Sequence, residues 1–167
     1  MSRTLLVIDV QADYFPGGTL PLWEVEETQA RIVSAIARAR GSGDRLVLVR
    51  HVSTQAAGLF ASNGPGIAIS PAILAAAGDA PIVTKHAADA FQDTDLADHL
   101  AGTEELLIAG MMTQNCVVFT ALSRAADAFR VRVVGDLCTA PTETVHRIAL
   151  AGLRSKLEVT TSEQVWG

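Results

Sequence analysis

The sequence predicts a three-layer α/β/α domain built on a mainly parallel sheet of about six strands. Three observations lead there. Short runs that are apolar at every position recur along the chain, as in Leu5–Ile8, Leu46–Val49 and Leu106–Ala109. Such strands are buried on both faces, which is the habit of parallel sheets. These runs alternate with helix-like segments, the pattern of strand–helix–strand crossovers. The chain has 167 residues, 49% of them hydrophobic and only 5% aromatic, which suits one domain, 1–167, with a sizeable aliphatic core.

The elements follow in order. Leu5–Asp9 is the first strand, its apolar run closed by Asp9. Val25–Arg40 carries apolar residues at helical spacing (Val25, Ile32, Val33, Ile36, Ala37) and stops at Gly41-Ser42-Gly43. Leu46–Val49 is the second strand. Ser53–Ile69 is rich in Gly, Ser and Asn and reads as a long loop. Pro71–Ala77 is a short helix ended by Gly78, and Ile82–Thr84 is the third strand, closed by Lys85. Thr94–Ala101 is a helix with Asp93 or Thr94 as N-cap. Leu106–Ala109, Val131–Val134 and Leu157–Thr160 are strands four to six, separated by helices over Asn115–Phe129 and Thr142–Leu153.

Right-handed crossovers put the C-terminal end of every parallel strand on one edge, where ligands bind in such folds. Asp9, His51, Lys85, the segment Gly110–Cys116 and Asp136 all map to that edge. Cys116 opens a helix-like run, and unpaired N–H groups with the helix dipole favour thiolate over thiol there. A lone cysteine is usually inert core, and an Asp or Lys at a strand end is usually a turn former or solvated. Together the three make a nucleophile, a base and a stabilising cation. Asp9 takes the Cys116 proton, the thiolate attacks a carbonyl, and Lys85 holds both groups. The turn Gly110–Asn115 supplies backbone donors for the oxyanion. Cys138 reads as inert.

Three segments carry a family resemblance: Leu5–Phe15 with Gly17-Gly18-Thr19-Leu20; Lys85 followed by Ala90-Phe91 and Thr94-Asp95-Leu96; and Ala109–Val117 with Thr120-Ala121 and Val133–Asp136. In these the chain resembles the isochorismatase-like cysteine hydrolases, which include nicotinamidases and N-carbamoylsarcosine amidohydrolases. The resemblance implies a Rossmann-like fold and an Asp9–Lys85–Cys116 triad. It also implies a non-proline cis peptide between Met111 and Met112, and an oxyanion hole from the N–H groups of Met112 and Cys116. It further implies a homo-oligomer, dimer or tetramer.

The departures narrow the chemistry. Nicotinamidases hold a metal on an Asp-x-His motif after the second strand. Here that strand continues Val49-Arg50-His51-Val52, with one imidazole and no partner carboxylate nearby. One imidazole is too little for a transition metal, so no catalytic metal and no cofactor are expected. Isochorismatases proper do not depend on a cysteine at this place, so Cys116 favours C–N hydrolysis of a small amide, ureido or carbamoyl compound. Isochorismatase-type chemistry, nicotinamidase activity, a catalytically silent binding or assembly protein, and a Cys116–Cys138 redox sensor are the competing readings. Phe15, His51, Phe91 and Asn115 are the candidate substrate contacts.

Composition excludes other classes. The net charge is −5 with no basic cluster, which argues against nucleic acid. No apolar run nears the ~20 residues of a membrane span. Two cysteines make no disulfide framework, and no signal peptide is read at the N-terminus, so a cytoplasmic setting is expected.

Overall fold

The computed structural model describes residues 1–167. Six strands, β1 (Arg3–Ile8), β2 (Arg45–His51), β3 (Ile82–Lys85), β4 (Glu105–Met111), β5 (Arg130–Thr139) and β6 (Glu158–Thr160), form one sheet. The order is β3-β2-β1-β4-β5-β6, and every neighbouring pair is parallel. The helices are α1 (Val25–Gly41), α2 (Pro71–Ala77), α3 (Leu96–His99), α4 (Val118–Ala121), α5 (Glu143–Arg154) and α6 (Ser162–Trp166).

Alternate residues of the all-apolar strands feed two separate cores, as the two-residue period of a strand requires. Leu5, Val7, Leu46, Leu48, Leu107 and Ala109 pack on one face with Ile32 and Ile36 of α1 and Ile73 of α2. Leu6, Ile8, Val47, Val49, Leu106 and Ile108 pack on the other with Leu96 and Leu100 around α3 and Leu150 and Leu153 near the end of α5. The chain first winds outward from β1 through β2 to β3, then returns to place β4 on the other side of β1. The strand order therefore reverses between β1 and β4. In open α/β sheets a crevice opens at such a point, beyond the strand ends.

The boundaries differ from the sequence expectation in instructive places. The single helix expected over Asn115–Phe129 is three short pieces: a π-helical turn over Thr113–Val117, α4, and a 3-10 turn over Arg124–Ala128. Val117, Val118 and Thr120 are β-branched and lose rotamer freedom in a helix. Ser123 then starts a fresh turn, its hydroxyl accepting from the Ala125 N–H. The helix expected over Thr94–Ala101 shrinks to α3; the Thr94 hydroxyl donates to Ala90 O and accepts from Leu96 N, so it ties the turn ahead of the helix. Strand β5 runs on to Thr139, past a register irregularity opposite Ile108 and Gly110, so Asp136 and Cys138 lie within a strand. Asp136 is consequently not part of the crevice rim. Its carboxylate accepts from Ser162 N and Oγ at 2.8 and 2.6 Å and secures α6. That last helix, absent from the sequence reading, starts with a capping box between Thr161 and Gln164. No helix is long and apolar enough to cross a membrane.

Gly110 makes the β1–β4 contact possible. Its φ is +115°, and a Cβ there would lie 2.1 Å from Ile8 O. Gly110→Ala is expected to lower the unfolding free energy in urea by about 3 kcal/mol or more. Gly152→Ala, in open space on α5, is expected to be neutral or to stabilise by up to ~1 kcal/mol. Equal stability of the two variants would contradict this packing.

Candidate active site

Each of the three predicted residues stands just beyond or at a strand end. Asp9 follows β1 in the left-handed region (φ +54°), a conformation Asp tolerates better than most residues. Its N–H donates to Val49 O and its carbonyl accepts from Gln11 N, both at 3.0 Å, which fixes the turn. Lys85 is the last residue of β3, two strands away from Asp9. Its four-carbon stem spans that gap inside the protein with no solvent exposure. Cys116 lies in the π-helical turn that follows β4, 3% exposed.

The Lys85 ammonium joins them. Nζ lies 3.0 Å from Asp9 Oδ2 and 3.2 Å from Cys116 Sγ. It also lies 2.9 Å from Ala87 O and 2.8 Å from His51 Nδ1. The aligned hydrogen bonds go to Ala87, His51 and Cys116, so Asp9 meets Lys85 as a close ion contact. Besides Lys85, the Cys116 thiol is the donor that reaches the Asp9 carboxylate. Its oxygens are left as the acceptors for the thiol proton.

Burial dominates the electrostatics. It pushes the Asp9 carboxyl above its ordinary 3.8, against the opposing pull of Lys85 and the Cys116 thiol. It pushes the Cys116 thiol up to about 12, with the Asp9 charge adding to it and Lys85 opposing. The resting sulfur is therefore a thiol. This corrects the expectation of a thiolate stabilised by a helix N-terminus: the residue sits in a buried π-turn ahead of a one-turn helix, and desolvation outweighs any dipole.

The turn that carries the thiol is braced from elsewhere. The Met111–Met112 peptide is cis. Met112 O accepts from Asn115 N and Val117 N at 3.1 and 3.3 Å, and the Met112 N–H has no protein acceptor. Thr113 Oγ1 and His146 Nδ1 of α5 are 2.8 Å apart. The His146 imidazole lies tilted against Trp23, 5.8 Å between ring centres. Trp23 is in turn tied to the end of β5, its N–H on Ala140 O and its carbonyl on the Thr139 hydroxyl. Thr113 thus braces the Cys116 turn, and His146 of α5 reaches it.

The candidate substrate contacts scatter. Asn115 is half-buried, next to the thiol, and its N–H closes the turn on Met112. His51 spends Nδ1 on Lys85. Its pKa is driven down to about 4 by burial and then by the charges of Lys85 and His86, so the ring is neutral. Phe91 stacks on Phe129 at 6.3 Å and packs on the core of Leu6, Ile8 and Ile108, which also contains Cys116. Phe15 packs on the opposite cluster and lines a cleft of about 520 Å³ with Ile69 and Pro71. A larger open cleft, about 660 Å³, lies around Asp136 and Trp166 and is lined by none of the three residues.

Two positions escaped the sequence reading. Tyr14 is fully buried, and burial together with the charges of Asp9 and Cys116 raises its phenol, which stays neutral. Asp13 pairs locally with Thr19, and it also accepts from Phe60 N at 2.6 Å, 47 residues away. These bonds outweigh its burial and hold the carboxyl below 3.8. Its carboxylate lies where a Gly66 Cβ would be, so the long loop closes onto it. No local pattern announces either contact.

Asp9, His51 and Cys116 offer ligand atoms within 4.8 Å of one another. The set does not fit a metal: the Lys85 ammonium is within 3.2 Å of all three, and a cation there would meet a fixed positive charge. The thiol is also held protonated by burial, whereas metal binding needs thiolate.

Comparison with known proteins shows the family and agrees with the fold. The profile of the Isochorismatase domain family matches residues 3–164. The chain is 31% identical to the uncharacterized isochorismatase family protein YddQ of Bacillus subtilis, over 92% of each chain. It is 30% identical over 140 residues to the streptothricin hydrolase of Streptomyces noursei, spanning 80% of this chain and 53% of that protein. The crystal structure of a putative isochorismatase hydrolase from Oleispira antarctica superposes with a TM-score of 0.87 at 30% identity, covering 98% of this chain and 95% of the other. With the family profile spanning nearly its whole length, the chain belongs to the isochorismatase family of hydrolases.

Proposed function

We propose that this hydrolase cleaves the C–N bond of a small amide, ureido or carbamoyl compound through a thioester on Cys116, without a metal. One observation carries the reading: a single buried ammonium lies within 3.2 Å of both the Asp9 carboxylate and the Cys116 sulfur, at the reversal of strand order. The hydrolases among the relatives support it.

The steps follow from the electrostatics. Asp9, ionised beside Lys85, accepts the thiol proton as sulfur attacks the carbonyl carbon, because a free thiolate is costly in this setting. The C–S bond forms and the carbonyl π pair moves to oxygen. The N–H groups of Met112 and Cys116 receive the oxyanion; that of Met112 has no competing acceptor. Collapse expels the amine, which takes the proton from Asp9. Water, deprotonated by Asp9, then attacks the thioester. The acid product leaves, and the Asp9 proton returns to sulfur. Lys85 stays protonated throughout and offsets the charge wherever it resides. In this reading the active form is a homo-oligomer acting on a small molecule.

An ammonia-release screen over small amides and ureas tests the reading. Cys116→Ala is expected to abolish turnover, and Asp9→Asn and Lys85→Met to lower kcat/KM by about 10²–10⁴-fold. Activity surviving Cys116→Ala would defeat the assignment. The pH profile has a definite sign. Asp9 must be ionised and its pKa is raised, so kcat/KM should fall as pH drops through a value above 3.8. A thiol at about 12 adds no alkaline limb in the neutral range; a rise tracking thiolate formation near pH 8–9 would contradict the proton transfer. Dialysis against a chelator is expected to leave the rate unchanged, and loss restored by zinc or iron would overturn the metal-free mechanism.

A further inference from the structure

We propose that His51 is a positioning residue for the Lys85 ammonium, a neutral imidazole whose Nδ1 takes one Nζ proton and so directs the others toward the thiol and the Ala87 carbonyl. The proposal deepens the hydrolase reading and rests on it. It assigns His51 to the lysine, in place of the substrate-contact role that the sequence suggested.

The argument begins with proton count. An ammonium has three protons, and Lys85 Nζ has four acceptors within 3.2 Å: His51 Nδ1, Ala87 O, Asp9 Oδ2 and Cys116 Sγ. The nearest is His51, at 2.8 Å. Two uncharged acceptors on one side, His51 and Ala87, aim the remaining proton at sulfur. Asp9 Oδ2 then stays 3.0 Å from Nζ as an ion contact, with its oxygens left facing the thiol proton. Without His51, the freed proton would turn to the Asp9 carboxylate and blunt it as a base.

His51 is itself built in place. It pairs with Lys85 in the β2–β3 register, which sets the two side chains next to each other on one face. Its backbone is clamped by the buried Gln11 amide: His51 N donates to Oε1 and Nε2 donates to His51 O, both at 2.8 Å. The same Nε2 donates to Ile67 O at 2.9 Å, which ties the long loop to the clamp. The ring lies against Phe60, 5.5 Å between centres, and Phe60 N is held by Asp13. A donor at Nζ fixes the imidazole as the Nε2–H tautomer. The titratable groups around it are Lys85 and His86 from β3 and the residue after it, then Asp9 and Cys116 beyond the ammonium, with Tyr14 on the far side of Phe60. The burial and the charges of Lys85 and His86 that hold His51 near pKa 4 keep it an acceptor at neutral pH.

Nitrogen-15 NMR of the full chain reads the contact without any substrate, so it decides this point even for a chain that hydrolyses nothing. Wild-type His51 is expected as the Nε2–H tautomer, unprotonated down to about pH 5, and Lys85→Met should move its pKa up toward the ordinary 6.5. An Nδ1–H tautomer, or a wild-type pKa near 6.5, would overturn the proposal. On an accepted amide substrate, His51→Leu should lower kcat roughly 100-fold with KM within about twofold. His51→Gln, whose amide oxygen can accept from Nζ, should recover part of the loss. A raised KM with kcat preserved would make His51 a substrate contact and sink the idea.

Discussion

The buried ammonium of Lys85 is the constraint on which the site depends. A lysine with no solvent exposure is costly unless every proton finds an acceptor and a negative charge lies close. Asp9 supplies the charge; His51, Ala87 and Cys116 supply the aligned acceptors. The same burial holds the thiol protonated and raises the carboxyl, and the ammonium beside the carboxyl opposes that rise. In the proposed mechanism, reactivity belongs to the set.

The parallel sheet makes that arrangement possible. Asp9 and the Cys116 turn follow neighbouring strands at the point where the order reverses, and Lys85 arrives from two strands away on a stem long enough to cross β2. The rest of the structure braces those ends. Gly110 lets β4 lie against β1 without a side chain between them. The Thr113–His146–Trp23 chain fixes the nucleophile turn from α5. Gln11 and Asp13, from the turn after β1, fasten the far end and the middle of the long loop.

Much of this was legible in the sequence. Runs such as Leu5–Ile8 and Leu106–Ala109 are apolar at every position, and only a two-sided parallel sheet gives every residue of such a strand a dry neighbour. The polar residues ending those runs therefore had to gather at one edge, and Asp9, Lys85 and Cys116 do lie together. Other features depend on contacts distant in sequence. The acceptors of Lys85 include an imidazole 34 residues away, and the brace on Thr113 comes from 33 residues downstream. No periodicity encodes either. The state of the thiol was misjudged because a helix N-terminus was inferred from spacing. The β-branched run broke that helix into a π-turn and one further turn, and the depth of burial, invisible in sequence, decided the pKa.

Acylation by an activated ester tests the shared ammonium most directly. A p-nitrophenyl ester of a small acid should acylate Cys116 alone, leaving Cys138 free, as read by intact mass and peptide mapping. The modification rate at neutral pH should fall sharply in Lys85→Met and in Asp9→Asn, since either change removes the proton transfer on which the thiol relies. Acylation of Cys116 at an undiminished rate in Lys85→Met, or an adduct on another side chain, would contradict the account.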